Sequence, residues 1–294
     1  MKSILGVLAI LILTNAQASE IDDISTYYIS LKDAETPLNE KVREAFAKAV
    51  RETKSCDLSA AAKIVAGELV SFRYYSGAFE RFAGSSPLIE RAKPPMAVSV
   101  YGETSFASSI VGRFYGLDAS INLRGHRVGT DKLGHFMDHG YKLYELSIEG
   151  RSDRELIQHA IEEEEGAFGW ITTGVKSHAD VAANFDGYRF WKDVFGRGSN
   201  PYFACENGKP KTIREFTFAE YVTDAWSEAI NCNTYFDDEF TRIVSLNVRR
   251  FEREGRRYSC PIVPARCSEL REHYRQWLPS ESVQLLVGIN CRES

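Results

Sequence analysis

Apolar residues recur every three or four positions through most of the chain, which is the period of an amphipathic helix. Helix-starting sequences, in which a serine or threonine precedes an acidic residue by three positions, begin at residues 152, 177 and 217, and Thr36-Pro37 predicts another helix with Pro37 at its first position. The same apolar period runs through residues 57–72, 131–148, 237–254 and 268–278. We therefore predict a mainly α-helical, multi-helix globular domain.

Strand-like alternation is confined to two short segments. Residues 96–101 and 120–128 carry β-branched and aromatic side chains between glycines, which predicts a small β-hairpin element. Glycine and proline interrupt residues 196–211 and predict a long loop there. This loop separates a helical core domain, residues 19–195, from a cysteine-rich C-terminal part, residues 196–294, unless both parts belong to the same domain.

The first eighteen residues have the pattern of a signal peptide. Lys2 precedes an apolar run at residues 4–13, and Ala16-Gln17-Ala18 is the small-x-small sequence that signal peptidase cleaves. Ten apolar residues are too few to span roughly 30 Å of hydrocarbon, and no later stretch approaches that length. We expect cleavage after Ala18, a periplasmic or secreted protein, and no transmembrane segment after signal cleavage.

The expected export indicates the state of the six cysteines. An oxidising compartment favours disulfides among Cys56, Cys205, Cys232, Cys260, Cys267 and Cys291. None of them forms a C-x-x-C pair, so neither a zinc ribbon nor a thioredoxin-type site is predicted. A disulfide between Cys260 and Cys267, which would close a short proline-containing loop, is one of many possible pairings. The alternative to structural disulfides is a catalytic thiol.

The composition excludes several classes of protein. With 44% hydrophobic and 26% charged residues, the chain is neither disordered nor fibrous. Its net charge of −5 at pH 7 provides no basic face for a phosphate backbone, so we expect no nucleic-acid partner.

The helix that follows Gly129 carries a candidate metal site. His135 and His139 lie four residues apart and face the same way in an α-helix, with Asp131 one turn before them. Two histidines and a carboxylate are suitable ligands for a divalent metal such as zinc. The alternative is an ordinary solvated helix face. No H-E-x-x-H sequence is present, so a zincin peptidase is not predicted.

Two residues of the helix that begins near Ser177 break its amphipathic pattern. Asp180 and Asn184 fall on the apolar face, whereas His178 and Asp186 fall on the other side. A buried carboxylate or amide needs a polar partner. The small residues Ala183 and Gly187 allow a second helix to approach and supply one: the result is either a structural hydrogen-bond network or a functional site.

Glu164 is a candidate general acid. Of the four glutamates at residues 162–165, only Glu164 falls on the apolar side of its helix, where burial favours the protonated form. Its position at a helix end before a glycine-rich turn is similar to that in lysozyme-type muramidases, although no second carboxylate stands at a matching place. The alternative is a frayed last turn. Glu220, Asp224 and Glu228 form an acidic stripe at four-residue spacing, which we expect to face solvent.

The sequence D-K-x-x-H-F at residues 131–136, followed by A-D-x-x-A-N at residues 179–184, resembles a pattern in bacterial envelope proteins of the VanZ-like and YfiM-like kind. The resemblance implies one constellation across two packed helices, formed by Asp131, Lys132, His135, Asp180 and Asn184. It implies no reaction, and the VanZ-like proteins differ from this chain in crossing the membrane several times.

Together these patterns suggest a metal-dependent cell-envelope hydrolase. His135 and His139, with Asp131 or Asp180, would hold the metal, Glu164 would transfer a proton, and His178 would lie nearby. The expected substrate is peptidoglycan or another envelope component. One alternative is a non-catalytic periplasmic protein with a buried polar network, and a second is a metal-free, muramidase-like glycosidase that uses Glu164. The sequence makes no prediction of oligomeric state.

Overall fold

The structure is a computed structural model that describes residues 20–70, 77–109, 112, 116–166, 169–251 and 259–291. The predicted signal peptide therefore lies outside the described residues. The α-helices are α1 (Asp23–Thr26), α2 (Glu35–Glu52), α3 (Leu58–Leu69), α4 (Ala78–Ser85), α5 (Ser105–Ser108), α6 (Asp131–Gly134), α7 (Gly140–Ile148), α8 (Asp153–Glu164), α9 (His178–Val194), α10 (Asp238–Arg249), α11 (Arg266–Arg275) and α12 (Ser280–Leu286). The prediction of a mainly helical fold is confirmed.

Two of the predicted helix starts are formed as their sequences indicate. Ser152 and Glu155 exchange both bonds of a capping box at the start of α8. The Ser177 hydroxyl accepts a hydrogen bond of 3.1 Å from the backbone N–H of Asp180 at the start of α9. Between α6 and α7 the helix continues as a π segment, His135–His139, so that residues 131–148 form one continuous rod with a wider turn in the middle.

The helix predicted from residue 217 is wrong. The chain instead makes two 3₁₀ turns, Phe218–Glu220 and Asp224–Trp226, which begin at Thr217 and Thr223. Each threonine hydroxyl accepts from the N–H two residues later, a tighter turn than an α-helical capping box. Large buried aromatic side chains then lie on several sides of the segment, which no single apolar helix face can accommodate. The acidic stripe is consequently broken up.

Small antiparallel sheets join the helices. Strands β1 (Ser120–Leu123) and β2 (His126–Gly129) form the hairpin predicted for residues 120–128. The remaining strands are β3 (Val175–Lys176), β4 (Phe203–Glu206), β5 (Lys209–Thr212) and β6 (Thr234–Tyr235), with β3 paired to β6 and β4 to β5.

Two sequence-based interpretations of irregular segments are wrong. Residues 96–101 form no strand: a 3₁₀ turn, Met96–Val98, satisfies its own backbone groups, and the N–H of Val100 donates to the Asp22 carboxylate. The expected loop at 196–211 contains β4 and the start of β5. Asn207 and Gly208 both adopt positive φ between these strands, and an Asn-Gly pair is a strong hairpin signal.

Disulfides bind distant parts of the chain. The pairs are Cys56–Cys205, Cys232–Cys260 and Cys267–Cys291, so a bridge between Cys260 and Cys267 is wrong, and no cysteine is left as a catalytic thiol. Cys267 at the start of α11 is buried against Cys291 rather than turned along its own loop. Disulfides are typical of proteins in extracellular or periplasmic compartments.

One large hydrophobic cluster contains residues from both sides of residue 195. It joins α2 and α3 to α6–α9 and to the C-terminal helices α11 and α12, and the first disulfide joins the turn before α3 to β4. Helix α9 runs through its centre and is buried on nearly all sides. No helix within the described ranges is long and apolar enough to cross a bilayer.

Candidate metal centre

Two glycines let the rod formed by α6, the π segment and α7 lie directly against α9. A Cβ added at Gly187 would overlap the carbonyl oxygen of Phe136, and one at Gly140 would overlap the backbone of Gly187. The Trp191 indole N–H also donates 2.8 Å to the carbonyl of Met137. The close approach predicted from the small residues of α9 is thus observed, and it brings polar side chains of the two helices together.

Three side chains converge at this contact. Donor atoms of Asp131, His135 and Asp180 all lie within 4.8 Å of one another. The Nε2 atom of His135 is 3.2 Å from Oδ2 of Asp180, close to the roughly 3.4 Å that separates two ligands of a tetrahedral zinc with bonds of about 2.1 Å. Each of the three side chains keeps about a tenth of its surface exposed.

Asn184 orients the histidine of this group. Nδ1 of His135 lies 2.9 Å from the amide oxygen of Asn184, which can only accept, so Nδ1 carries the proton and Nε2 presents its lone pair toward Asp180. Burial lowers the pKa of His135 to about 4. The ring is therefore neutral at pH 7, as a metal ligand must be.

Lys132 holds the two carboxylates in place. Its Nζ, fully buried, is 2.8 Å from Oδ2 of Asp131, 2.5 Å from Oδ1 of Asp180 and 2.6 Å from Oε1 of Glu228. Three ionised carboxylates on one ammonium give −3 + 1 = −2. A divalent cation among Asp131, His135 and Asp180 would bring that charge to zero, so the residues present fit such an ion in both donor type and charge.

Further buried carboxyl groups surround these residues. Burial raises the pKa of Glu164 well above its usual range and that of Glu20 to about 8, with Asp180 and Glu228, respectively, adding repulsion. Burial also raises the pKa of Asp23 to about 7. Burial and repulsion from neighbouring carboxylates thus make these surrounding carboxyl groups hold their protons more tightly.

Glu164 lies next to the donor group through Ser177. The backbone N–H of Ser177 points at Oε2 of Glu164 at 3.5 Å, while the Ser177 hydroxyl donates 3.1 Å to Glu228 and caps the turn that carries Asp180. The burial predicted for Glu164 is observed. The alternative, a frayed last turn that exposes Glu164 to water, is wrong because the side chain is only 2% exposed. Its role as a proton donor stays a prediction.

His139 does not join the donor group. Its ring stacks on that of His135, with 4.6 Å between centroids, and its Nδ1 is 3.6 Å from Oε2 of Glu163. Glu163, which we expected in solvent, also contacts Lys142. The donor group therefore contains both Asp131 and Asp180, and the prediction that His139 belongs to it is wrong.

Three polar residues that the sequence places opposite the apolar face of their predicted helix are buried. His178 is 3% exposed at the start of α9 but does not belong to the donor group. Asp186 accepts hydrogen bonds from the Trp226 indole and the Tyr274 hydroxyl. Asp224 lies against His126 and Arg266.

Glu228 and Glu20 are the functional candidates that sequence reasoning missed. Glu228 was assigned to a solvent-facing stripe, yet it is 4% exposed and bound to Lys132, which lies 96 residues earlier. Glu20 lies at the start of the described chain, where its backbone bridges to Leu117. Neither position carries a local pattern that predicts burial.

Comparisons with known proteins provide no relative for this fold or site. No protein-family model matches the sequence, and the searches of the curated proteins and of the solved structures returned no match. The resemblance to VanZ-like and YfiM-like proteins stays a prediction.

Proposed function

We propose that the protein is an exported, metal-dependent hydrolase whose divalent cation is held by Asp131, His135 and Asp180. The observation that carries the proposal is the convergence of these three donors in a buried centre where three carboxyl groups share one ammonium. Three protein ligands are typical of catalytic zinc sites, because they leave one position for water or substrate.

The remaining residues of the centre have distinct tasks in this proposal. A bound divalent cation supplies a Lewis acid and lowers the pKa of its water. Asn184 fixes the tautomer of His135, and Lys132 holds Asp131 and Asp180 at their present separation. Glu164, whose pKa burial raises well above its usual range, donates the proton that the leaving group takes up.

Peptidoglycan or another envelope component is the proposed substrate. The support is indirect: the signal-peptide pattern directs the chain out of the cytoplasm, and its six cysteines are all paired. Hydrolysis of a glycosidic, amide or ester bond in that compartment requires no further cofactor.

Metal analysis of purified protein tests the proposal. We expect about one equivalent of zinc or another divalent ion in the wild type and none in His135→Ala. The control is His273→Ala, which should keep the metal content of the wild type, because His273 lies in α11 and its ring packs on Trp277. Release of soluble fragments from purified peptidoglycan should require the metal and be restored when zinc is added back to chelated protein.

Two outcomes would favour the alternatives. Turnover that survives a chelator but is lost in Glu164→Gln would indicate a metal-free glycosidase. Absence of metal and turnover in a well-folded wild type, with Asp180→Asn and Glu164→Gln only changing thermal stability, would indicate a structural network.

A further inference from the structure

The ammonium of Lys132 contacts one oxygen of each carboxylate in the donor group. Its Nζ, fully buried, is 2.8 Å from Oδ2 of Asp131 and 2.5 Å from Oδ1 of Asp180. These contacts reach both helices, since Asp131 begins α6 and Asp180 lies in the first turn of α9. One oxygen of each carboxylate is therefore already paired with a positive charge.

The second oxygen of each carboxylate has different neighbours. Oδ2 of Asp180 lies 3.2 Å from Nε2 of His135, on the side of the donor group. Oδ1 of Asp131 accepts a hydrogen bond of 2.7 Å from the backbone N–H of Lys132, a neutral donor. Because a carboxylate oxygen has two lone pairs, this bond leaves one of them for a cation. Each carboxylate thus offers a metal one oxygen that the ammonium does not hold.

The number of available oxygens determines which cations the site suits. Calcium takes roughly six to eight oxygen ligands and commonly binds a carboxylate through both of its oxygens. A calcium ion that did so here would share an oxygen with the ammonium, and the two positive charges would repel each other. Zinc binds only about four ligands, and one oxygen from each carboxylate together with Nε2 of His135 supplies three of them.

We propose that Lys132 is the residue that makes the metal site selective for zinc over calcium. By holding one oxygen of Asp131 and one of Asp180, it restricts both carboxylates to a single bond with the metal. The inference rests on the proposed function, because it concerns the same donor group, and it adds the identity of the metal and the residue that determines it. The imidazole of His135 favours zinc by itself, so the contribution of Lys132 is measured on variants that keep His135.

A paired substitution removes the ammonium without changing the formal charge of the cluster. Lys132 also lies 2.6 Å from Oε1 of Glu228, so Lys132→Met combined with Glu228→Gln removes one basic and one acidic group together. All four oxygens of Asp131 and Asp180 are then released from the ammonium. Replacement of both partners of a buried ion pair costs little stability, so we expect the double variant to fold. Glu228→Gln alone is the matched control, because Lys132 stays in place.

Calorimetric titrations with zinc and with calcium test the proposal. We expect the wild type and Glu228→Gln to bind zinc, and to bind calcium at least about 1000-fold more weakly than zinc. The double variant should bind calcium at least about tenfold more tightly than the wild type does, because its carboxylates can now bind through both oxygens.

The visible spectrum of cobalt(II) in the site measures coordination directly and needs no variant. Cobalt(II) with four ligands absorbs visible light much more strongly than cobalt(II) with six, and cobalt(II) accepts the same kinds of ligand as zinc. We expect the strong spectrum for the wild type and for Glu228→Gln, and a weaker one for the double variant as its coordination number rises.

Three results would overturn the proposal: calcium binding by the double variant that is no tighter than that of the wild type, an equal gain in Glu228→Gln, or a weak, six-coordinate cobalt spectrum in the wild type. In each case zinc binding by the wild type leaves the proposed function standing. A wild type that binds neither zinc nor cobalt removes both.

Discussion

Helix α9 carries two buried carboxylates whose hydrogen-bond and charge partners differ. Asp186, on one side, accepts from the Trp226 indole at 2.9 Å, the Tyr274 hydroxyl at 2.8 Å and the Arg189 guanidinium at 2.8 Å. Asp180, on the other side, shares the single ammonium of Lys132 with two further carboxylates. One carboxylate is balanced by a cation and two neutral donors, and the other belongs to a cluster with excess negative charge.

The difference separates a structural network from a candidate site. A buried charge whose partners match it in number and sign adds specificity to packing and needs no ligand. A buried cluster with excess charge must take up protons or a cation. Burial raises the pKa of Asp131 well above its usual range, with Lys132 acting against this shift, so the Lys132 cluster holds protons where a cation would replace them.

Removal of the ammonium should have the largest effect on this comparison. Lys132→Met leaves three buried carboxylates without a counter-charge, and we expect it to lower the free energy of unfolding by about 3–5 kcal/mol. Urea denaturation measures the loss. The control is Lys142→Met, because Lys142 is 44% exposed and its pair with Glu163 should contribute less than about 1 kcal/mol. Equal losses in the two variants would contradict the assigned charge balance.

Addition of metal should distinguish the two carboxylates next. Free zinc at about 100 times its Kd should stabilise the wild type by about 2.7 kcal/mol, and excess chelator should reverse the gain. Asp186→Asn should respond to zinc as the wild type does, because Asp186 is no part of the donor group. A wild type whose urea midpoint does not move with zinc would remove the contrast.

Loss of the balanced carboxylate should be a smaller change. Asp186→Asn keeps one oxygen for the Trp226 and Tyr274 donors, which share Oδ2 of Asp186, but replaces the charged bond to Arg189 with an amide NH2 that faces the guanidinium. We expect a loss of about 2 kcal/mol in urea denaturation without metal. Asp193→Asn is a suitable control on the same helix, since Asp193 is partly exposed. A loss no greater than that of the control would show that the network is not structural.

The smallest change in stability should come from Asp180→Asn. Lys132 keeps Asp131 and Glu228 as partners, so we expect less than about 1 kcal/mol without metal. The same variant should lose the zinc-dependent gain. If its metal-free loss exceeds that of Asp186→Asn, then Asp180 is a structural residue and the comparison fails.

Local patterns predicted most of the helices and some of the centre. Capping residues and apolar period act within one or two turns, so α8, α9 and the rod of residues 131–148 follow from the sequence. Asp180 and Asn184 were recognisable because each is a polar residue on an apolar face, and the small residue Gly187 predicted the close helix contact. Glu164 was recognisable for the same reason.

The rest depends on contacts that are distant along the chain. Glu228 is buried because the 3₁₀ turns after Thr217 carry it to Lys132, and the helical spacing of residues 217–228 indicates the opposite. The disulfide pairing is a property of the assembled core, as the 149-residue separation of Cys56 and Cys205 illustrates. No sequence feature predicted the π turn at His135–His139.

Because of that π turn, the relative orientation of the two ends of the rod depends on the number of residues in it. A π turn contains one residue more than an α turn, so it sets the angular phase between the donors in α6 and the glycine contact at Gly140. Deletion of a single residue there would restore a regular helix and rotate one end of the rod against the other. The contact at Gly140 and the alignment of Asp131 with Asp180 could then not be kept together. This segment should therefore tolerate substitutions far better than insertions or deletions.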